Sequence, residues 1–145
     1  IEMIEAVGQE YWPVYFRTLA DRLKPGGSAV IQAITIAEHR FDAYASSADF
    51  IQRFIFPGGM LLTNGAIARE AKAAGLTLER TQLFGASYAR TLCEWRRRFD
   101  AAWPRIEAQG FDARFQRLWH YYLTYCEGGF RGGGIDVAQV TLVKN

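Results

Sequence analysis

The sequence predicts an α/β fold, on three observations. An amphipathic helical stripe runs into a Pro-Gly turn, apolar runs of strand length recur along the chain, and two longer helical stripes lie between the last two of those runs. Trp12, Tyr15, Phe16, Leu19 and Leu23 share the spacing of one helical face. Lys24-Pro25-Gly26-Gly27 stops that helix, because proline cannot continue the hydrogen-bond ladder and glycine accepts left-handed turns. Ser28 to Ile34, with Val30, Ile31 and Ile34, reads as a buried strand. Helix, turn and strand together suggest one unit of a parallel sheet.

From Ala37 to Met60 the chain is first polar, then aromatic, with Phe41, Tyr44, Phe50, Phe54 and Phe56. An irregular loop and a short helix near Asp49 to Phe54 are expected there, inserted above the sheet. Asn64 is placed to cap a helix that reaches about Ala74 and ends at Gly75. Leu76 to Leu83 reads as a strand, with Leu76, Leu78 and Leu83 as its apolar positions. Tyr88, Leu92, Trp95 and Phe99 then share a face of one long helix, and Phe111, Phe115, Leu118, Trp119 and Tyr122 a face of a second. Trp103-Pro104 and Gly110 mark a kink or break between them. Val137 to Val143 closes the order as a buried strand.

Composition agrees with a folded domain: 50% of the 145 residues are hydrophobic and 14% aromatic. A net charge of +2 is too small to argue for nucleic acid. No apolar run approaches the roughly 20 residues that cross a bilayer, so membrane contact is expected only at the surface. Cys93 and Cys126 belong to no metal or redox spacing and read as small hydrophobic helix residues of a reduced, cytoplasmic compartment. The opening Ile1-Glu2-Met3 reads as though cut inside an element, so a fragment is expected.

Five blocks then match one family in order. They are Met3-Ile4-Glu5-Ala6-Val7-Gly8; Leu23-Lys24-Pro25-Gly26-Gly27 with Gln32-Ala33-Ile34; Asp49-Phe50-Ile51 with Ile55-Phe56-Pro57-Gly58-Gly59; Gly85-Ala86-Ser87-Tyr88-Ala89-Arg90-Thr91-Leu92; and Trp119 to Phe130. Together they resemble the cyclopropane-fatty-acyl-phospholipid synthases and mycolic acid cyclopropane synthases over essentially the whole chain. The resemblance implies the C-terminal half of a class I, Rossmann-like methyltransferase fold dependent on S-adenosylmethionine (SAM). Helices are inserted in that fold, and its last two strands form a reversed, hairpin-like addition to a parallel sheet. Residues 1–145 would then be a partial catalytic domain, without the glycine-rich SAM loop and ribose-binding acid that lie earlier in the family. Gly132-Gly133-Gly134 follows a helix and precedes a strand, which makes it a turn rather than a nucleotide loop.

The implied activity is SAM-dependent methylene transfer to the cis double bond of a phospholipid-bound unsaturated acyl chain. In the family the alkene takes the sulfonium methyl and the resulting carbocation loses a proton as the ring closes. That course needs negative potential, a base and exclusion of water. Carried over by motif, Glu5, the main chain of Ile34 and Tyr88 match positions that hold a bicarbonate ion, and Gln32 stands where the family has histidine. Glutamine cannot take up a proton, though its amide can donate hydrogen bonds to an anion. From the residues alone, Glu5 also reads as a solvated acid at a helix start, Tyr88 as a core tyrosine, and Gln32 as a strand residue in need of a polar partner.

SAM and bicarbonate are thus the implied cofactors, and unsaturated phospholipid acyl chains the implied partner. Peripheral contact with a membrane, a cytoplasmic location and a homodimer go with them; no metal and no nucleic acid are expected. Gln32, and Leu61-Leu62-Thr63-Asn64 where the family has a Leu-Pro-Ser run, open a related outcome, a methylene- or methyl-branched acyl chain. The altered run could also be a different helix cap. The same residues are compatible with a non-catalytic lipid-binding or oligomerisation fragment, and with an enzyme of the same fold for a small soluble substrate. The aromatics of 41–56 with Tyr121, Tyr122 and Tyr125 read as core or as an acyl tunnel. Arg96-Arg97-Arg98, with Arg90 and Arg105, reads as a solvated face or a contact for anionic head groups. His39 and His120 are isolated and receive no role.

Overall fold

The computed structural model describes residues 3–145; Ile1 and Glu2, on which the reading of a chain cut inside an element partly rests, lie outside the described residues. Two compact units emerge, one from the residues up to Phe84 with Ile135–Asn145, the other Gly85–Gly134. Among the described residues no helix is long and apolar enough to cross a membrane.

The first unit is built on three strands, β1 (Ser28–Ile36), β2 (Leu76–Leu83) and β3 (Ile135–Lys144), in the order β1-β3-β2. β3 is antiparallel to both neighbours, so β1 and β2 run the same way with β3 between them. Among the described residues the parallel pairing expected at β1 consists of one bridge, Thr35 with Leu62. The last strand has the reversed direction that the resemblance implied. One sheet face carries Ile31, Ala33, Val140 and Leu142, and these pack with Trp12, Phe16 and Ala20 of α1 (Trp12–Arg22) and with Ala66, Ile67 and Ala71 of a later helix, Asn64–Ala73. The opposite face is wetter: Val30, read as buried, is 63% exposed.

Helix α1 starts with proline in its first turn, where the missing N–H costs nothing. At its far end the Lys144 ammonium donates to the Ala20 and Leu23 carbonyls at 2.8 and 3.0 Å, satisfying acceptors that the helix leaves over. The turn after it is closed by Gly27 N–H on the Lys24 carbonyl at 2.8 Å, and a Cβ on Gly27 would lie 2.8 Å from that same oxygen. Gly27→Ala is expected to cost about 1–3 kcal/mol of stability because the obstacle is backbone. On Gly128 a Cβ meets nothing within 4 Å, so Gly128→Ala is expected to stabilise by about 0.5–1 kcal/mol. Urea unfolding of both variants checks the contrast in sign.

The insertion holds more helix than the sequence signals. A 3-10 turn, Glu38–Arg40, leads into α2 (Phe41–Ala45), and α3 (Phe50–Phe54) follows with a capping box between Asp49 and Gln52. Gln52 also donates to the Gly59 carbonyl at 2.8 Å and to Tyr44 Oη at 3.3 Å, while Tyr44 Oη accepts from Leu61 N–H at 3.1 Å. Phe41 packs on Trp12 with ring centres 6.1 Å apart. Helix α4 (Asn64–Ala73) is capped by Thr63, not Asn64, through Thr63 Oγ1 on Ala66 N–H at 3.0 Å. The threonine sits in the extended backbone that a cap requires, one residue before the first helical turn. The altered Leu-Leu-Thr-Asn run thus supplies a cap and a fully buried Leu62.

In β2 the register shifts between Leu78 and Arg80. That bulge explains a parity break in the sequence: Leu76 and Leu78 are even and Leu83 odd, yet Leu78 stands opposite Leu142 and Leu83 opposite Ala138, both buried on the core face.

The second unit is an antiparallel helix pair, α5 (Gly85–Glu107) and α6 (Ala113–Arg131). Pro104 does not break α5, which continues to Glu107. The reversal comes at Gly110, with φ +96°, and α6 restarts on Asp112, whose carboxylate accepts from Phe115 N–H at 2.8 Å. Phe111 lies ahead of that cap and packs on Phe115 at 4.6 Å. Phe99, Phe115, Trp119 and Tyr122 continue the aromatic seam. The arginine run is matched by carboxylates of its own unit. Arg97 and Arg98 bond Glu94 at 2.8 and 2.7 Å, and Arg96 shares the buried Glu127 with Arg131. Hydrogen bonds from Arg97 and Arg98 hold the pKa of Glu94 down to about 2.

Candidate functional site

Glu5 sits on a 3-10 turn, Ile4–Ala6, anchored by the buried Ile4. Its carboxylate crosses to the outer edge of β1, where Oε1 accepts from Ile34 N–H at 2.6 Å. Its carbonyl accepts from Met60 N–H at 2.8 Å. The Phe56-Pro57-Gly58-Gly59 block makes the second contact, since Gly58 takes φ +80° and a Cβ on Gly59 would lie 3.1 Å from the Phe56 carbonyl. Leu62 then continues along the same edge, its carbonyl accepting from Ile36 N–H at 2.9 Å.

The sheet register dictates this arrangement. In an antiparallel ladder every second residue turns its N–H and C=O away from the partner strand. Ile34 and Ile36 turn theirs outward, and the outer edge is met by a carboxylate and by the incoming loop. Tyr15, on α1, senses the charge. Burial pushes its hydroxyl up first, and Glu5 pushes it further.

Gln32 lies one strand repeat before Ile34 and opposite Gln139 of β3. Gln139 Nε2 donates to Gln32 Oε1 at 2.8 Å, which supplies the polar partner that a strand glutamine requires. Gln32 at the middle of β1 and Ile34, which Glu5 engages, therefore lie two residues apart toward the C-terminal end of the strand, the end of a sheet at which α/β folds place ligands. Tyr88 belongs to the helical unit, half-buried on the first turns of α5 with its ring 5.6 Å from Phe130.

Three contributors escape a reading of the sequence. Gln139 is one of several polar strand residues, and only register singles it out. Met60 acts through its backbone, which carries no signal of residue type. Tyr15 is one of five apolar stripe positions on its helix. Among the other candidates, Cys93 and Cys126 are half-buried on α5 and α6. Tyr121 and Tyr125 stack on each other at 5.9 Å on an exposed stretch of α6, and Tyr122 packs on Trp119 within the seam. His39 is exposed, and His120 stands 3.7 Å from Asp100 on the helix pair. Gly132-Gly133-Gly134 forms the expected turn: Gly132 N–H bonds the Gly128 carbonyl at 2.9 Å, closing α6 immediately before β3.

The chain is similar to known proteins along nearly its whole length. The family model described as mycolic acid cyclopropane synthetase matches residues 1–140. Tuberculostearic acid methyltransferase UfaA1 of Mycobacterium tuberculosis is 43% identical over 145 residues, covering 99% of this chain and 34% of its own length. The cyclopropane-fatty-acyl-phospholipid synthase of Escherichia coli K12 is 36% identical over 144 residues, with 99% of this chain and 36% of the relative covered. Among solved structures, the cyclopropane synthase MmaA2 of Mycobacterium tuberculosis superposes with a TM-score of 0.88 at 28% identity, over 99% of this chain and 53% of that one. The mycolic acid cyclopropane synthase CmaA1, solved with SAH and CTAB, gives 0.89 at 29% identity and the same coverage. The chain thus spans about a third of the curated relatives it matches.

Proposed function

This chain belongs to the mycolic acid cyclopropane synthetase family, and from that premise we propose that it is part of an enzyme that transfers a one-carbon unit from SAM to the double bond of a lipid-bound unsaturated acyl chain. A cyclopropane ring is the first product reading. The fold is the corresponding part of a class I SAM-dependent methyltransferase. The observation that carries the proposal is the Glu5 carboxylate on the Ile34 amide, two residues 29 apart that the family's site positions single out.

SAM supplies an electrophilic methyl when bound; its glycine-rich loop is not among the residues of this chain. What these residues do is electrostatic. Glu5 brings a full negative charge to the edge of β1, and the short bond to Ile34 N–H fixes that charge in place. A developing carbocation on the acyl chain is favoured by such a charge, and a carboxylate can accept the proton that ring closure releases. Glu5 itself engages the Ile34 N–H, and the bicarbonate that the resemblance implies would be taken up at the same edge of β1. A peripheral approach to a membrane, a cytoplasmic setting and a homodimer belong to the same proposal.

A second product reading, a methylene-branched chain, or a methyl-branched one where a separate hydride donor reduces the cation or the methylene product, is favoured by two observations. Gln32 replaces the histidine of the resemblance and is tied to Gln139 as a neutral amide pair. The 43%-identical relative is named a methyltransferase rather than a cyclopropane synthase. The test is mass spectrometry of phospholipid acyl chains from cells that express the full-length parent protein with labelled methionine. One added CH2 that resists mild hydrogenation is the cyclopropane outcome. The same gain with a reducible double bond selects the methylene product, and a gain of CH2 with no unsaturation and two further hydrogens selects the methyl branch. No labelled lipid would sink the proposal.

A further inference from the structure

We infer that Gln139 is a positioning residue for the reaction: it sets which end of the Gln32 amide faces the site beside Glu5 and Ile34. The inference rests on the proposed function and deepens it. Gln32 and Gln139 are cross-strand partners, and Ile34 stands opposite Val137 two residues along. Because Ile34 turns its N–H outward to Glu5, the pairs of that parity are the non-hydrogen-bonded ones, in which facing side chains come closest. The two amides meet there at 2.8 Å with Gln139 as donor and Gln32 Oε1 as acceptor.

A primary amide has one acceptor end and one donor end. With Oε1 engaged by Gln139, the end of the Gln32 amide turned away from β3 is its Nε2 donor end. A donor end suits an anion at the site, whereas a carbonyl oxygen would repel one. The row extends outward on the same face. Gln82 stands opposite Gln139 in the β2–β3 register, and Arg80 donates to Gln82 Oε1 at 3.1 Å. A guanidinium can only donate, so the outer end of the row has a fixed polarity. Gln32, Gln139 and Gln82 thus stand in one row across the three strands, with an arginine at its margin.

The test uses the full-length parent protein and methyl transfer from labelled SAM to vesicles of unsaturated phospholipid. Gln139→Glu can only accept, so it turns Gln32 round and directs Oε1 away from β3. Gln139→Lys can only donate, so it keeps the native orientation. Both put a charge at the same half-buried position, and thermal melts of the two serve as the folding control. Turnover is expected to fall about tenfold in Gln139→Glu and to stay within about threefold of the parent in Gln139→Lys, with the KM for SAM unchanged in both. In a Gln32→Leu background the Glu and Lys variants should behave alike. Equal losses in the two single variants, or a Gln139→Glu deficit that survives intact in Gln32→Leu, would overturn the positioning role. If Gln32→Leu itself turns over like the parent, Gln32 lies outside the reaction and the positioning role of Gln139 falls with it, whereas a parent protein that labels no lipid overturns the proposed function itself. A Gln32→Leu deficit with a fully active Gln139→Glu removes Gln139 alone.

Discussion

Glu5→Gln in the full-length protein is expected to lower turnover by about 100- to 1,000-fold while leaving the unfolding midpoint and the affinity for SAM nearly unchanged. The substitution is isosteric, and the glutamine Oε1 can still accept from the Ile34 N–H that Glu5 engages at 2.6 Å. Its carbonyl bond to Met60 is backbone and is untouched. Only the charge and the basicity go. If the role of Glu5 were to pin the loop against β1, the variant would be close to silent, because both pins remain. If the charge stabilises a cation and takes its proton, kcat falls and substrate affinity does not. Glu5→Asp separates geometry from charge, since the shorter side chain keeps the charge and withdraws it from the Ile34 amide. Intermediate turnover is expected there. A Glu5→Gln enzyme that retains a third of its turnover would remove Glu5 from the chemistry.

Much of the first unit could be read from the chain because its signals are local. The stripe from Trp12 to Leu23 and the Lys-Pro-Gly-Gly stop specify α1 and its end within a dozen residues, and the observed helix runs Trp12–Arg22. β2 has the expected bounds, and β1 and β3 extend past theirs by two and by three residues in all. What local pattern could not supply was pairing. That β3 lies between β1 and β2 depends on contacts more than 50 residues apart, and no period encodes them. The choice of Thr63 over Asn64 as cap turned on backbone angle at two residues of similar capping strength. Pro104 misled because α5 carries it within its last turn and continues to Glu107, while the reversal belongs to Gly110. The site followed the same division. Glu5 and Ile34 came from resemblance, not from spacing, whereas the need of Gln32 for a partner was physical and legible, and the identity of that partner, 107 residues away, was not.

Phe16→Ala should carry the largest stability loss of any single truncation in the first unit, about 3–5 kcal/mol. The ring is completely buried, packs edge-on to Tyr15 with centres 5.4 Å apart, and belongs to the cluster formed by α1, α4 and the core face of the sheet. Truncation leaves a cavity that helices tied at both ends cannot collapse into, since the C-terminus of α1 is held by Lys144 and its N-terminus by the buried Trp12. Against the roughly 5–15 kcal/mol that holds most domains together, this is a large share. Val14→Ala on the exposed side of the same helix should stay within about 0.5 kcal/mol. The loss has a functional reach, because α1 is the element that joins the turn bearing Glu5 to the strand bearing Ile34. Activity of Phe16→Ala is therefore expected to disappear at the lower temperature at which the variant unfolds, whereas Phe16→Leu, which refills most of the volume, recovers both. Loss of activity well below the melting temperature would instead mean that Phe16 shapes the site directly.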